Sequence, residues 1–259
     1  MRLALTHSNT ASPALYARAR ACAREFALPY LPRNRQTLAR LCREHGLDGL
    51  LVLSADGLAL NVGGAEYAFH PNAAKLRFHA LLQGRGDRMA EAMGLRPGDS
   101  LLDCTCGLGS DATVASHLVG PGGRVRAIEK SPVLARLVRR GLERYTDGMD
   151  ELVAAMRRVE VVETDAAETL ATLPDASWDV VYFDPFFEET VETAKGLDLV
   201  RLLGSRTPLS AETVAQARRV ARRRVVCKDR APGPLLGALG FEPVSRAKRL
   251  CFGALPPAR

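Results

Sequence analysis

Asp99-Ser-Leu-Leu-Asp-Cys-Thr-Cys-Gly-Leu-Gly-Ser-Asp111 decides how this chain is read. Asp99 to Cys104 is a short run with an apolar centre, the length of a buried strand. Gly107 and Gly109 then supply a tight turn and let a ligand approach the backbone. From Asp111 to Val119 the residues suit a helix, whose N-terminus offers unbonded N–H groups. Strand, glycine turn and helix together make a place for a nucleotide-like ligand, although the turn alone is a weak signal.

Working outward, the same alternation repeats downstream. Strands are predicted at Arg124 to Glu129, Val159 to Glu163, Trp178 to Asp184 and Arg224 to Lys228. Helices are predicted at Pro132 to Arg144, Ala166 to Leu173 and Ala211 to Ala221. In the first of these, Arg136, Arg139, Arg140 and Arg144 are expected on the outer side. Phe241 to Ser245 and Arg249 to Phe252 read as a closing strand pair. This pattern predicts an α/β fold with a mostly parallel sheet covered by helices on both faces. Such sheets bind ligands beyond the carboxyl ends of their strands, so functional residues are expected just after strands. Upstream, segments are shorter. A helix from Pro13 to Phe26 is capped by Ser12, and a second covers Gln36 to His45. Strands at Gly49 to Ser54 and Leu58 to Val62 flank the turn Ala55-Asp56-Gly57. These make a small N-terminal α+β unit, residues 1–84, before a ligand-binding domain at 85–259.

Composition limits the class. The 259 residues are 47% hydrophobic and 25% charged, which excludes a disordered or collagen-like chain. No apolar run reaches the roughly 20 residues of a membrane helix, and no secretory signal is expected at the start. The net charge of +7 favours a polyanionic partner. Cys22, Cys42, Cys104, Cys106, Cys227 and Cys251 have neither CxxC nor zinc spacing, so they read as packing residues of a reduced, cytoplasmic protein. The five histidines are scattered, and no metal site is expected.

Each strand end carries a chemical feature. Asp103 stands just before the glycines, where a carboxylate suits a cationic amino group better than a pyrophosphate. Glu129 follows the next strand and can accept from both ribose hydroxyls. Asp165 can accept from an adenine amino group or cap the helix beginning at Ala166; the two roles can coexist. Asp184-Pro185-Phe186-Phe187 joins an acceptor for an exocyclic amine to a rigid loop and a stacking surface. Gly107-x-Gly109-x-x-Ala112 with Glu129 also satisfies the relaxed dinucleotide fingerprint of a dehydrogenase. Asp103 and the DPFF tetrapeptide instead favour S-adenosylmethionine, a ligand with an amino group, a sulfonium and no phosphate.

These motifs resemble class I S-adenosylmethionine-dependent methyltransferases, and among them the ribosomal small subunit methyltransferase J family, which methylates guanine N2. DCTCGLGSD at 103–111 is similar to its DATAGLGxD segment, EKSP at 129–132 to E-[RK]-[NS]-P, and DPFF at 184–187 to DPMF. VVCK at 225–228, then Ala231-Pro232, is similar to its basic strand and proline loop. Upstream, Gly84-Arg85-Gly86 and Val62-Gly63-Gly64 also match, so the likeness spans about residues 60 to 254. The resemblance implies a Rossmann-like fold with a seven-stranded sheet, S-adenosylmethionine as cofactor, S-adenosylhomocysteine as product and no metal. It implies cofactor contacts from Asp103, Gly107, Gly109, Ser110, Asp111, Glu129, Lys130, Asp165, Ala166 and Asp184, with Asp184, Pro185, Phe186 and Phe187 at the reacting amine. Ribosomal RNA or the small ribosomal subunit is the implied partner, met by Arg85, Lys228, Arg230, Arg246 and Lys248, from a monomer or homodimer. The basic run Arg218, Arg219, Arg222, Arg223 and Arg224 is a further candidate for phosphate contact. Ser110, Asp165-Ala166 and the acidic Glu188-Glu189 depart from the guanine enzymes. Another amino group, in DNA, protein or a small molecule, stays open as the substrate, as does a cofactor-binding module without turnover.

Overall fold

The computed structural model describes residues 1–10, 12–186 and 198–258. It divides into two compact units, Met1–His70 with Lys195–Leu203, and Pro71–Ala194 with Gly204–Arg259.

The first unit opens with strand β1 (Leu3–His7), every residue of which is buried. Helix α1 (Pro13–Glu25) follows. Ser12 caps it by accepting from the Leu15 N–H at 3.2 Å, with Pro13 in the first turn, where its missing N–H costs nothing. Leu15, Ala19, Cys22 and Ala23 recur at helical spacing and form its buried face. Helix α2 (Leu38–His45) ends at Gly46, whose φ of 58° only glycine adopts without strain. Strands β2 (Gly49–Leu53), β3 (Leu58–Val62) and β4 (Ala65–Ala68) complete a sheet of order β1-β2-β3-β4. β1 runs parallel to β2 and the other neighbours are antiparallel. Strands β1 and β4 were not legible in the sequence. Five residues after Met1 and four mostly exposed residues show no period that singles out a strand.

The second unit begins with helix α3 (Asn72–Leu82), absent from the sequence reading, and helix α4 (Arg88–Met93), the helix expected after Gly84-Arg85-Gly86. Then come β5 (Ser100–Asp103), α5 (Ser110–Val119), β6 (Arg124–Glu129) and α6 (Pro132–Arg144). Helix α7 (Asp150–Arg157), β7 (Val159–Glu163), α8 (Ala166–Thr172) and β8 (Trp178–Phe183) continue the alternation. Helix α9 (Asp198–Leu203) belongs to the first unit. The chain closes with α10 (Ala211–Val220), β9 (Ala221–Arg230), α11 (Pro234–Ala238), β10 (Glu242–Arg246) and β11 (Leu250–Leu255).

These strands form the expected seven-stranded, mostly parallel sheet, of order β10-β11-β9-β8-β5-β6-β7. Only β10 and β11 run antiparallel to their neighbours. The chain lays β5, β6 and β7 outward in one direction, then adds β8 on the other side of β5. That reversal opens a crevice beyond the carboxyl ends of β5 and β8. Leu102, Val181, Phe183, Val225 and Trp178 lie in the apolar core beneath it, packed with α8, α10 and α11. Arg136 and Arg139 are not on an outer face as expected. Arg136 makes a bidentate pair with Glu163 at 2.7 and 2.8 Å, and Arg139 donates to the Val161 carbonyl at 3.0 Å, both tying α6 to β7.

Candidate functional site

The ends of β5 and β8 meet through the Asp103–Tyr182 register, and Cys104 N–H donates to the Tyr182 carbonyl at 2.9 Å. Asp103 is wholly buried there. One carboxyl oxygen accepts from the Thr105 N–H at 2.9 Å, while the other, Oδ2, has no hydrogen-bond partner among the described residues. Burial pushes this carboxyl up to about 8, and neighbouring Asp111 and Asp184 add to the effect. A buried, half-satisfied carboxyl is costly unless something supplies a donor.

The turn after β5 is built as its glycines predict. Gly107 and Gly109 have φ of 52° and 72°. A Cβ at Gly109 would stand 3.3 Å from Val138 and Leu142, so the residue also permits close packing on α6. Glu129, at the end of β6, is folded over this turn. Its two oxygens accept from the Gly107 N–H at 3.2 Å and the Ser131 N–H at 2.9 Å. Burial raises its carboxyl above the ordinary range, against those N–H groups. Each oxygen keeps a further acceptor direction for a ligand hydroxyl. Asp165 caps α8, accepting from the Ala167 N–H at 2.8 Å, and its other oxygen pairs with Lys130 Nζ at 2.8 Å. The capping role is thus present. Ala166 packs against the core, and the half-buried Ser110 opens α5.

Asp111 is the centre of a polar network that joins α3, α5, β8 and β9. It accepts from Arg77 Nη1 and from the Tyr182 hydroxyl, the latter at 2.8 Å, and lies 3.6 Å from Lys228 Nζ. Burial opposes its ionisation, but Lys228 and Arg77 outweigh that and hold it below the usual carboxylate range. Arg77 also makes a bidentate pair with Asp87 at 2.7 and 2.8 Å. Lys228 Nζ donates to Asp184 Oδ2 at 2.7 Å, and the Asp184 N–H donates to Thr105 Oγ1 at 2.6 Å. Burial raises the Asp184 carboxyl despite the adjacent ammonium. Arg77 and Lys228 are thus shared among the carboxyl groups of Asp87, Asp111 and Asp184, and Asp103, beside Asp111 and Asp184, has neither cation as a partner. That imbalance, with the unpartnered Asp103 oxygen, fits a ligand that brings an ammonium and a sulfonium. The residues present fit S-adenosylmethionine, and among the described residues no cluster could hold a metal ion.

Arg77 and Tyr182 were missed by the sequence reading. Arg77 stands between Leu76 and Phe78 in a stretch that gives no sign of its distant partners. The available signal was indirect: carboxyls at positions 103, 111 and 184 converging on one strand-end crevice require cations.

The expected reacting residues are only partly described. Pro185 and Phe186 follow β8, with the Arg206 guanidinium 5.5 Å from the Phe186 ring centre. Phe187, Glu188 and Glu189 lie outside the described residues. Lys228, read from the sequence as an RNA contact at the end of the strand beside that of Asp184, is mostly buried and committed to Asp184 and Asp111. It lies towards the carboxyl end of β9, level with Asp184 beyond the end of β8, and so at the crevice. Arg85 is exposed and donates to Gln83 at 2.6 Å, Arg230 is half-buried at the end of β9, and Arg246 and Lys248 are exposed about the β10–β11 turn.

The basic run across the end of α10 and the start of β9 is likewise turned to internal use. Arg218 donates to the Pro256 carbonyl at 3.0 Å, and Arg219 to the carbonyls of Leu170 and Leu173 at 2.7 and 2.8 Å. Arg222 reaches the Ala176 carbonyl at 2.6 Å, and Arg224 the Ala92 carbonyl at 2.9 Å. Arg223 clamps Asp99 at 2.6 and 2.7 Å.

Comparison with known proteins agrees with this geometry. The model of the family described as "Putative SAM-dependent methyltransferase" matches residues 39–249. The chain is 43% identical over 233 residues to "Uncharacterized protein YpiP" of Bacillus subtilis, covering 90% of each chain. It is 33% identical over 228 residues to "Ribosomal RNA small subunit methyltransferase J" of Chromobacterium violaceum, covering 80% of this chain and 85% of that one. The crystal structure of a SAM-dependent methyltransferase from Neisseria gonorrhoeae shares the fold, with a TM-score of 0.62 at 20% identity over 98% of this chain and 95% of that one. The crevice at the β5–β8 reversal is where such folds bind their ligand, and the chain belongs to the S-adenosylmethionine-dependent methyltransferase family.

Proposed function

We propose that this enzyme methylates the exocyclic N2 of a guanine in small-subunit ribosomal RNA. The observation that carries the reading is Asp184, a half-buried acceptor after β8 and one strand from the unpartnered oxygen of Asp103. The relative named for ribosomal RNA methylation and the net charge of +7 support it.

Bound S-adenosylmethionine supplies an electrophilic methyl group on a sulfonium. Asp103 would hold its ammonium, Glu129 its ribose hydroxyls, and the Gly107–Gly109 turn gives room beside the backbone. Guanine N2 is a weak nucleophile because its lone pair is delocalised into the ring. Asp184 accepts one of its N–H bonds, and the Pro185 carbonyl is the natural acceptor for the second. Both contacts favour a pyramidal nitrogen and oppose the charge that develops on it. When the N–C bond forms and the C–S bond breaks, the nitrogen becomes cationic and sheds a proton. Asp184, raised by burial, takes it. Phe186 offers a face for the base, which must be unstacked to enter.

One observation keeps a second reading alive, transfer to an amino group in DNA, protein or a small molecule. The arginines at 218–224 are occupied by the protein itself, so much of the positive charge is not displayed. Tritium transfer from labelled cofactor to small subunits, naked small-subunit RNA and total protein distinguishes the two. Label recovered as N2-methylguanosine, and lost in Asp184→Ala, is the expected result. Label confined to protein or small molecules overturns it.

A further inference from the structure

Most arginines near the end of the chain are bound to carbonyls or carboxylates, but those on α1 are not. Arg18 and Arg24 make no hydrogen bond or ion pair with any described residue, and both are exposed. Arg20 has its guanidinium 5.6 Å from the centre of the Tyr30 ring. Helix α1 carries these three arginines against a single acidic residue, Glu25.

The charge lies beside a shaped surface. Ala17, Arg20 and Arg24 recur at i, i+3 and i+7, one stripe of the helix. With Ala23, Leu28 and Tyr30 they line a cavity of about 560 Å³. Its apolar floor is fixed in place. The backbone around Tyr30 is zipped to β1, with Leu5 N–H donating to Pro29 at 2.8 Å and Leu31 N–H donating to Leu5 at 2.9 Å. The Tyr30 hydroxyl is shielded from solvent and makes no well-formed hydrogen bond with the described residues. One turn before Arg20, Tyr16 is 41% exposed, and its ring stands edge-on to His7 at 4.4 Å. Exposed guanidinium groups, with no carboxylate partner among the described residues for Arg20 or Arg24, set beside the exposed Tyr16 ring and the half-buried Tyr30 ring, match a chain of phosphates joined by flat bases.

We propose that this face of the N-terminal unit, formed by Tyr16, Arg20, Arg24 and Tyr30, is a second binding site that grips a single-stranded segment of RNA. Arg20 and Arg24 take phosphates, Tyr16 stacks on a base, and the cavity receives the neighbouring sugar or base. The identity of the RNA as substrate rests on the function proposed above; the binding itself is tested without it.

The experiment titrates full-length protein into a fluorescently labelled, naked small-subunit RNA fragment and follows anisotropy across salt concentration. In Arg20→Ala/Arg24→Ala the affinity is expected to fall about tenfold or more near physiological salt. The slope of log affinity against log salt should shrink by roughly 1.4, the loss of two single-strand phosphate contacts. Tyr16→Ala should weaken binding several-fold with the slope unchanged, as loss of stacking would. Arg20→Lys/Arg24→Lys keeps the charges and should keep the slope. Calorimetric cofactor affinity, measured alongside, should match wild type in every variant. Unchanged affinity and slope in the double alanine variant would overturn the proposal. So would polyglutamate competing as well as RNA with Tyr16→Ala silent, which would mark the face as a dock for acidic protein. If wild type binds RNA through this face yet transfers no methyl group to it, the proposed reaction fails while this site stands.

Discussion

Asp103 combines complete burial, one unpartnered oxygen and a carboxyl pushed up to about 8 from an ordinary 3.8. At neutral pH, without ligand, it holds a proton. An ammonium against it favours the ionised form, so binding the cofactor should release that proton. Affinity is then expected to rise with pH and to level off above about 8. Calorimetry in two buffers of unlike ionisation enthalpy should show close to one proton released at pH 7, and none in Asp103→Asn. For the ligand-free protein the sign runs the other way. The folded value lies above the unfolded one, so stability is fullest below about 4 and declines as pH rises through about 8. Lys228 makes a second prediction at this scale. Removing one partner of a buried ion pair costs about 3–5 kcal/mol. Lys228→Met should therefore lower the melting temperature markedly, and it should move the acid limb of the rate profile upward by releasing Asp184 from its cation. Lys228→Arg should restore part of both.

At the scale of elements, the turn between β5 and α5 does two jobs. Gly109 takes a left-handed φ and lets the turn itself pack closely on α6. Gly109→Ala should destabilise the protein by about 1–3 kcal/mol through strained backbone and weaken cofactor binding, as thermal melting and calorimetry would show. This turn was fully legible, because glycines, strand and helix are contiguous in sequence. So were α6, with Ser131 and Pro132 at its start, and β8, apolar or aromatic at every position but Asp179. Helix α3 was not. Its apolar residues do not form one clean stripe, and its key side chain, Arg77, finds partners 10 and 34 positions away. The carboxyls of the site could be read one strand end at a time. Of the cations that hold them, Lys228 could be read as the end of a strand beside that of Asp184, although it was also counted among the RNA contacts. Arg77 could not, since helix packing rather than sequence proximity brings it to the carboxyls.

For the molecule as a whole, a net charge of +7 says less about the surface than it suggests. Arginines at 218–224 stitch α10 and β9 to neighbouring segments, mostly through backbone carbonyls, while Arg18 and Arg24 on α1 make no hydrogen bond or ion pair with a described residue. Two substitutions of equal charge should then separate. Arg219→Ala should lower the melting temperature, since it releases the Leu170 and Leu173 carbonyls, and should leave the salt slope of RNA binding unchanged. A matching loss of slope in Arg219→Ala would return that run to the interface. No described helix is long and apolar enough to cross a membrane.

The first compact unit is not a continuous stretch of chain. Helix α9, at Asp198–Leu203, packs against β4 within it, although more than a hundred residues of the other unit are threaded between them. During synthesis, the sheet formed by the first 70 residues must therefore wait for its last helix until β5 through β8 have left the ribosome. A gene cut after His70 would deprive both halves: the leading fragment would lack α9, and the trailing one would carry Leu199 without the strand it was made to cover. Grafting this N-terminal unit onto another enzyme, or deleting it, thus calls for two junctions rather than one.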